Sequence, residues 1–178
     1  MKKSVFSTLL VILLTAAVLL ALTFGLQNIA QQKAQAIHLQ TMQTLLPGST
    51  NFIVEPYTGD DANVKSVHKG ETGFVVETVT QGYADEIVVL VGVSNDGNVT
   101  GLMVKEMHET IGLGGNALLD WEFLAQFLHT EGDAAVGENI DAITGATVTS
   151  KAIARCVNSA VAVVTGADTD SGATSWGG

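Results

Sequence analysis

Residues 141–150, Asp-Ala-Ile-Thr-Gly-Ala-Thr-Val-Thr-Ser, set a carboxylate, a Gly-Ala bend and four hydroxyls (Thr144, Thr147, Thr149, Ser150) directly before an apolar helical pattern. Thr149 or Ser150 is well placed to cap that helix, and unpaired N–H groups at its start favour a phosphate. Thr147 is surplus to the capping need. Spacing alone therefore reads as a phosphate site at a helix N-terminus.

A second stretch, His108 to Leu119, places Gly112, Gly114 and Gly115 between a strand pattern and a helix pattern. Such a bend lets a backbone approach a flat or anionic ligand, although a strand-to-helix turn needs glycine in any case and the full dinucleotide fingerprint is missing. Other chemistries lack their signatures. The four histidines have no zinc-type spacing, no Gly-x-Ser-x-Gly elbow occurs, and Cys156 is the single cysteine, which excludes an intrachain disulfide and a Cys-based metal site. Its helical surroundings, Ala-Ile-Ala-Arg-Cys-Val, mark it as a small core residue.

The elements that must position these motifs begin with Ser4 to Leu26, an uncharged run long enough to cross a bilayer as a helix. Lys2 and Lys3 precede it, so the N-terminus is expected in the cytoplasm and the rest of the chain outside, as a single-pass protein of the cell (inner or cytoplasmic) membrane in contact with lipid. A cleaved secretory signal is the alternative, but the apolar run is too long, and Ala34-Gln35-Ala36 lies well past its end. Beyond the span, six basic residues face all eighteen acidic ones, which disfavours nucleic acid as a partner.

The chain divides by composition into a short cytoplasmic start and anchor (1–26), a helical stalk (27–48) ending at Pro47-Gly48, an extracytoplasmic domain (49–165) and a Gly/Ser/Thr/Asp-rich tail (166–178) expected to be flexible. Within the domain a short strand is expected at Val64–Lys69 and clearer ones in 72–83 and 85–107, with Asn95-Asp96-Gly97-Asn98 as a hairpin turn. A helix over 115–132 closed by Gly132, a short strand or turn at 138–143 and a last helix over 150–164 complete the pattern. The fold class is α+β: a transmembrane helix, then an antiparallel sheet packed with helices.

Asp-Ala-Ile-Thr-Gly-Ala-Thr closely resembles the flavinylation motif Asp-x-x-(Ser/Thr)-Gly-Ala-Thr of the FMN-binding domain family. The resemblance implies FMN held by a phosphodiester on Thr147 and installed from FAD by an ApbE-type flavin transferase. It makes Asp141, Thr144, Gly145 and Ala146 the transferase's recognition sequence. His-Glu-Thr-Ile-Gly-Leu-Gly-Gly resembles the family's Glu-Thr-Pro-Gly-Leu-Gly motif, implying that Glu109, Thr110, Gly112 and Leu113 line the flavin, with Ile111 in the proline's place. Gly82-Tyr83-Ala84-Asp85-Glu86 also departs from the family's usual Gly-Tyr-Gly-Gly.

The order of parts resembles the G subunits of Rnf electron-transport complexes, with the C subunits of sodium-translocating NADH:quinone reductases as longer relatives. The implied role is an electron carrier among other membrane subunits, in a complex coupling ferredoxin and NAD oxidoreduction to sodium or proton transport. Such a chain is a redox subunit with no catalytic residues or metal of its own. The tail repeats the motif as Asp168-Thr169-Asp170-Ser171-Gly172-Ala173-Thr174, making Thr174 a second candidate FMN acceptor, although such a composition also spells the string by chance. Rival classes are a pilin-like filament subunit, disfavoured because Ser4–Leu26 holds no glutamate, and a flavin-free exported binding protein.

Overall fold

In the computed structural model the backbone is described over residues 2–107 and 120–167, and side chains there from residue 14 onward save 17, 18 and 21. The first element, α1 (Lys2–Leu45), is one helix of 44 residues. Its uncharged stretch lies within it, yet among the described residues no helix is long and apolar enough to cross a membrane. The chain separates into two compact units, Met1–Gln40 and Thr41–Gly178. The helical pattern runs on from the apolar stretch because residues 27–45 contain neither proline nor glycine, and Pro47-Gly48 stops it, with Gly48 at φ +90°.

The second unit is built on a five-stranded antiparallel sheet in sequence order, β1 (Ile53–Glu55), β2 (Val64–Lys69), β3 (Gly73–Gln81), β4 (Glu86–Ser94) and β5 (Val99–Met107). Among the described residues two helices follow, α2 (Trp121–Ala125) and α3 (Thr147–Thr165). The β4–β5 turn falls where Asn95-Asp96-Gly97-Asn98 predicts it: Gly97 holds φ +87° and its N–H donates to Ser94 O at 2.9 Å. β1 is an addition to the expected strands. Its three residues are all exposed, so no buried face marks them in the sequence.

β4 is buried from Ile87 through Val93, an apolar run without alternation, because both faces of the sheet are covered. On one face Ile87, Val89, Val91 and Val93 pack with Phe123, Phe127, Ile140 and the α3 residues Ile153, Val157 and Ala160. Phe123 and Phe127 meet edge to face, with centroids 5.3 Å apart. On the other face Met42, Leu45 and Leu46 cover Val75 and Leu90. Glycine permits this seat: a Cβ on Gly92 would collide with the Leu45 carbonyl, which instead accepts the Thr100 hydroxyl at 2.6 Å.

The exit from α1 is clasped by the β2–β3 turn. Thr50 donates its N–H and its hydroxyl to Glu71 at 2.9 Å each, Asn51 donates its N–H and Nδ2 at 3.3 Å, and Thr72 Oγ1 donates to Pro47 O at 3.1 Å. These donors, with the Glu71 backbone N–H contributing most and the Thr50 hydroxyl next, lower the Glu71 pKa from 4.5 to about 2. A depressed carboxylate stabilises the fold fully above its unfolded value and loses that contribution as pH falls from 4.5 through about 2. Thermal melts from pH 6 to pH 2 are therefore expected to show a shallower acid-induced loss for Glu71→Gln than for wild type. Parallel curves would remove Glu71 from the clasp.

Two expected elements differ in extent. Of the helix foreseen over 115–132, residues 115–119 lie outside the described residues, and over 120–132 the chain forms only the five-residue α2: Asp120 caps it by accepting N–H groups of Glu122 and Phe123, and the chain turns irregularly through His129 at φ +68° before Gly132. Competing turn bonds, such as Thr130 Oγ1 to Phe127 O at 2.8 Å, hold that route where apolar periodicity alone suggested helix. The last helix starts three residues earlier than the pattern implied. Cys156 lies on its core face, and burial, the largest cause, raises its thiol pKa to about 11.

Candidate functional site

Thr147 is the first residue of α3 and is exposed, as are Asp141, Thr144 and Gly145, while Ala146 is buried. The bend before the helix is shaped by Gly145 at φ +81°, a left-handed conformation that a side chain would strain, and closed by Ala146 N–H donating to Ile143 O at 2.9 Å. Neither Thr149 nor Ser150 caps α3. The N-cap is Ala146, which has no side-chain acceptor, and Ser150 Oγ instead donates back to Ala146 O at 3.0 Å and accepts Ile143 N–H at 3.3 Å. Because the bend stops short of both hydroxyls, they fall inside the first turn rather than ahead of it.

An uncapped start leaves the N–H groups of Thr147, Val148 and Thr149 without helical acceptors, since α-helical bonding begins with Ser150 N–H to Ala146 O at 2.9 Å. These groups and the helix dipole make the turn receptive to an anion. Thr149 adds a buried hydroxyl: the residue is 1% exposed, and its Oγ1 has no hydrogen-bond partner. An unpaired buried hydroxyl costs about 1–3 kcal/mol. The cost falls at a site whose remaining features favour a phosphate group.

Successive contacts set the direction of α3 along β3. Arg155 Nη2 donates to Gln81 O at 3.3 Å, Asn63 Nδ2 donates to Ser159 Oγ at 3.3 Å while Asn63 O accepts Val79 N–H, and Val163 lines a cleft with Phe74. Moving up the helix toward its start therefore moves toward the Gln81 end of the sheet. Thr147, eight residues before Arg155 and so about 12 Å further along the axis, lies beyond that end. β5 also ends there, since Met107 pairs with Ile87 next to the β3–β4 turn.

The described chain stops at Met107, at that end, and resumes at Asp120. α2 is in turn tied to the bend, because Asp141 N–H donates to Gln126 Oε1 at 2.7 Å and Gln126 Nε2 donates to Asp141 O at 3.4 Å. The bend at 141–146 is thus tied to the segment that follows Asp120. Glu109, Thr110, Gly112 and Leu113 themselves lie outside the described residues, as does Thr174.

Lys151 and Arg155 stand four and eight residues after Thr147, on its face of the helix. Neither has an ion-pair partner among the described residues. In a region holding six basic against eighteen acidic residues, Lys151, one turn from the exposed threonine, favours an anion there. Helical spacing from Thr147 was the signal that could have found Lys151. The open cleft of about 340 Å³ formed by Tyr57, Lys69, Phe74 and Val163 lies at the other end of α3, sixteen residues or roughly 24 Å from Thr147.

A bend and an open helix start with Thr144 and Thr147 exposed make this turn receptive to an anion. The family model for the FMN-binding domain matches residues 82–162, which contain both motifs. The chain is 32% identical over 165 residues to the G subunit of the proton-translocating ferredoxin:NAD(+) oxidoreductase complex of Clostridium ljungdahlii, covering 85% of each chain. It is 36% identical over 171 residues to the G subunit of the ion-translocating oxidoreductase complex of Methanosarcina acetivorans, covering 86% of this chain and 89% of that one. The corresponding protein of Escherichia coli is 32% identical, covering 83% of this chain and 81% of that one.

The chain belongs to this family of G subunits of ion-translocating oxidoreductase complexes. The residues present fit FMN: an exposed hydroxyl for a phosphate ester, free N–H groups and the Lys151 cation for its charge, and a buried hydroxyl in need of a partner.

Proposed function

We propose that this chain is an electron-carrying subunit of a membrane complex that couples ferredoxin and NAD oxidoreduction to sodium or proton translocation, with FMN held covalently on Thr147. The family membership supports the complex. The observation that carries the linkage is the exposure of Thr147 on an uncapped helix start inside the FMN-binding region. A phosphodiester keeps the cofactor from dissociating, and the flavin supplies the electron transfer while the chain supplies position and electrostatics.

Attachment balances as a transfer: the Thr147 hydroxyl oxygen bonds to the FMN phosphorus of FAD, the phosphoanhydride bond breaks, AMP leaves and the hydroxyl proton goes to a base of an ApbE-type flavin transferase. Asp141, Thr144, Gly145 and Ala146 serve as its recognition sequence, their exposed members open to a partner, and Glu109, Thr110, Gly112 and Leu113 line the flavin. Thr174, in the repeated motif of the tail, is a candidate second acceptor, to be tested by Thr174→Ala.

Ser4–Leu26 is the single membrane span. Its 23 uncharged residues extend about 34 Å as a helix, enough for a hydrocarbon core, and Lys2 and Lys3 hold the N-terminus in the cytoplasm. Residues 27–48 then form a stalk and 49–165 the extracytoplasmic domain. The test is expression of the full chain with an active flavin transferase. A mass increased by FMN, in a membrane-bound yellow protein that bleaches reversibly with dithionite, is expected. An unmodified mass would sink the covalent-carrier reading, and a protein recovered without membranes would sink the anchor.

A further inference from the structure

We propose that the Thr149 hydroxyl hydrogen-bonds the flavin attached at Thr147, so that the cofactor completes a partner set the chain leaves open. The inference rests on the reading that Thr147 carries FMN. Among the described residues of the second unit, five polar ones are buried: Ser49, Thr78, Thr149, Ser150 and Ser159. Ser49 bonds Thr72, Thr78 bonds the Val89 carbonyl, Ser150 bonds Ala146 and Ile143, and Ser159 bonds Asn63. Only Thr149, within the first turn of a 19-residue helix and two residues from the acceptor, has none.

The placement is not one that packing requires. Thr149 shares the core face of α3 with Ile153, Cys156 and Ala160, where valine has nearly the same shape and no polar atom to desolvate. Beside it, no side chain caps the helix end, and the N–H groups there remain open. FMN offers both donors and acceptors along its ribityl chain and the polar edge of its ring, and a threonine hydroxyl can pair with either.

The alternative occupant is a trapped water, which would satisfy the hydroxyl with or without flavin. A cycle separates the two. The full-length wild type, Thr149→Val and Thr149→Ser are each prepared without and with transferase, checked by intact mass, and melted in detergent, and the visible flavin spectrum is recorded. Loading is expected to raise the folded-to-unfolded ratio about tenfold more in wild type than in Thr149→Val. The flavin absorption of Thr149→Val should shift, and Thr149→Ser should restore both signals.

Equal gains and identical spectra in all three loaded proteins would overturn the contact and leave the Thr147 reading intact. Should Thr149→Val fail to fold, Thr149→Ala is compared with Thr149→Ser on the same spectrum: a difference supports the contact and identity overturns it. A wild type that takes up no FMN overturns both proposals together.

Discussion

Thr147→Ala is expected to abolish covalent flavin while leaving the fold intact. Co-expressed with an active transferase, the wild type should gain FMN mass and the variant none at this position. The expectation is clean because the two effects separate. Thr147 is exposed, and its hydroxyl makes no hydrogen bond with a described residue. Its removal should therefore change stability by no more than about 0.5 kcal/mol. Alanine also has a higher helix propensity than threonine, so any shift should favour the variant. Loss of colour without loss of melting temperature assigns the linkage to the hydroxyl rather than to folding.

Thr147→Ser retains an oxygen and should still be loaded, whereas Thr144→Ala keeps the acceptor and tests recognition alone. Run beside them, Thr174→Ala resolves the repeated motif of the tail. If wild type gains two FMN masses and each threonine variant one, both copies are modified. If Thr147→Ala keeps acid-stable flavin that Thr174→Ala loses, the acceptor is in the tail and the assignment of Thr147 fails. One FMN lost only with Thr147→Ala leaves the tail copy as a chance string.

Much of this arrangement is readable in the sequence, and the parts that are not share a cause. The β4–β5 turn announces itself because its geometry needs a residue such as Gly97 at positive φ, a requirement that local residue types express. The sheet and the last helix carry runs whose periods are set by the faces they bury. β1 has no buried face and so leaves no pattern, and α2 keeps an apolar spacing that turn hydrogen bonds redirect after five residues. The route beyond it is held from a distance as well, by His129 N–H donating to Val99 O at 2.9 Å and Val99 N–H to Thr130 O at 3.0 Å.

The motif around Thr147 stands out by residue type, but the identity of the helix cap does not. Ala146 takes the position although two hydroxyl residues follow, because Ser150 is engaged in holding the bend itself. The unpaired state of Thr149 is likewise a property of three-dimensional packing. Glycine at position 92 reads in the sequence as a weakness in a strand, since glycine has no side chain to pack. In the fold it is the seat for the end of α1.

That seat yields the largest stability effect expected here. A valine at Gly92 would push its Cβ into the Leu45 carbonyl and against the Thr100 hydroxyl that binds it, and backbone cannot yield as a flexible side chain can. Relief requires the end of α1 to lift, which uncovers Met42, Leu45 and Leu46 together with Val75 and Leu90 beneath them. Overpacking and re-exposure add in the same direction, so Gly92→Val should cost above about 3 kcal/mol and lower the melting temperature by about 10 °C or more.

Gly25→Ala is the matching control, since nothing lies within 4 Å of a Cβ there. It should be neutral or slightly stabilising, as alanine is within a helix. Gly92 also lies five residues along β4 from Ile87, about 17 Å from the sheet end where Thr147 is approached. A milder Gly92→Ser variant that still folds at low temperature should therefore accept FMN normally while melting early. Normal melting of Gly92→Val would mean that the end of α1 does not rest on the sheet. Impaired loading of a folded Gly92→Ser would mean that the two ends of the domain are coupled, and that the seat of α1 reaches the flavin site.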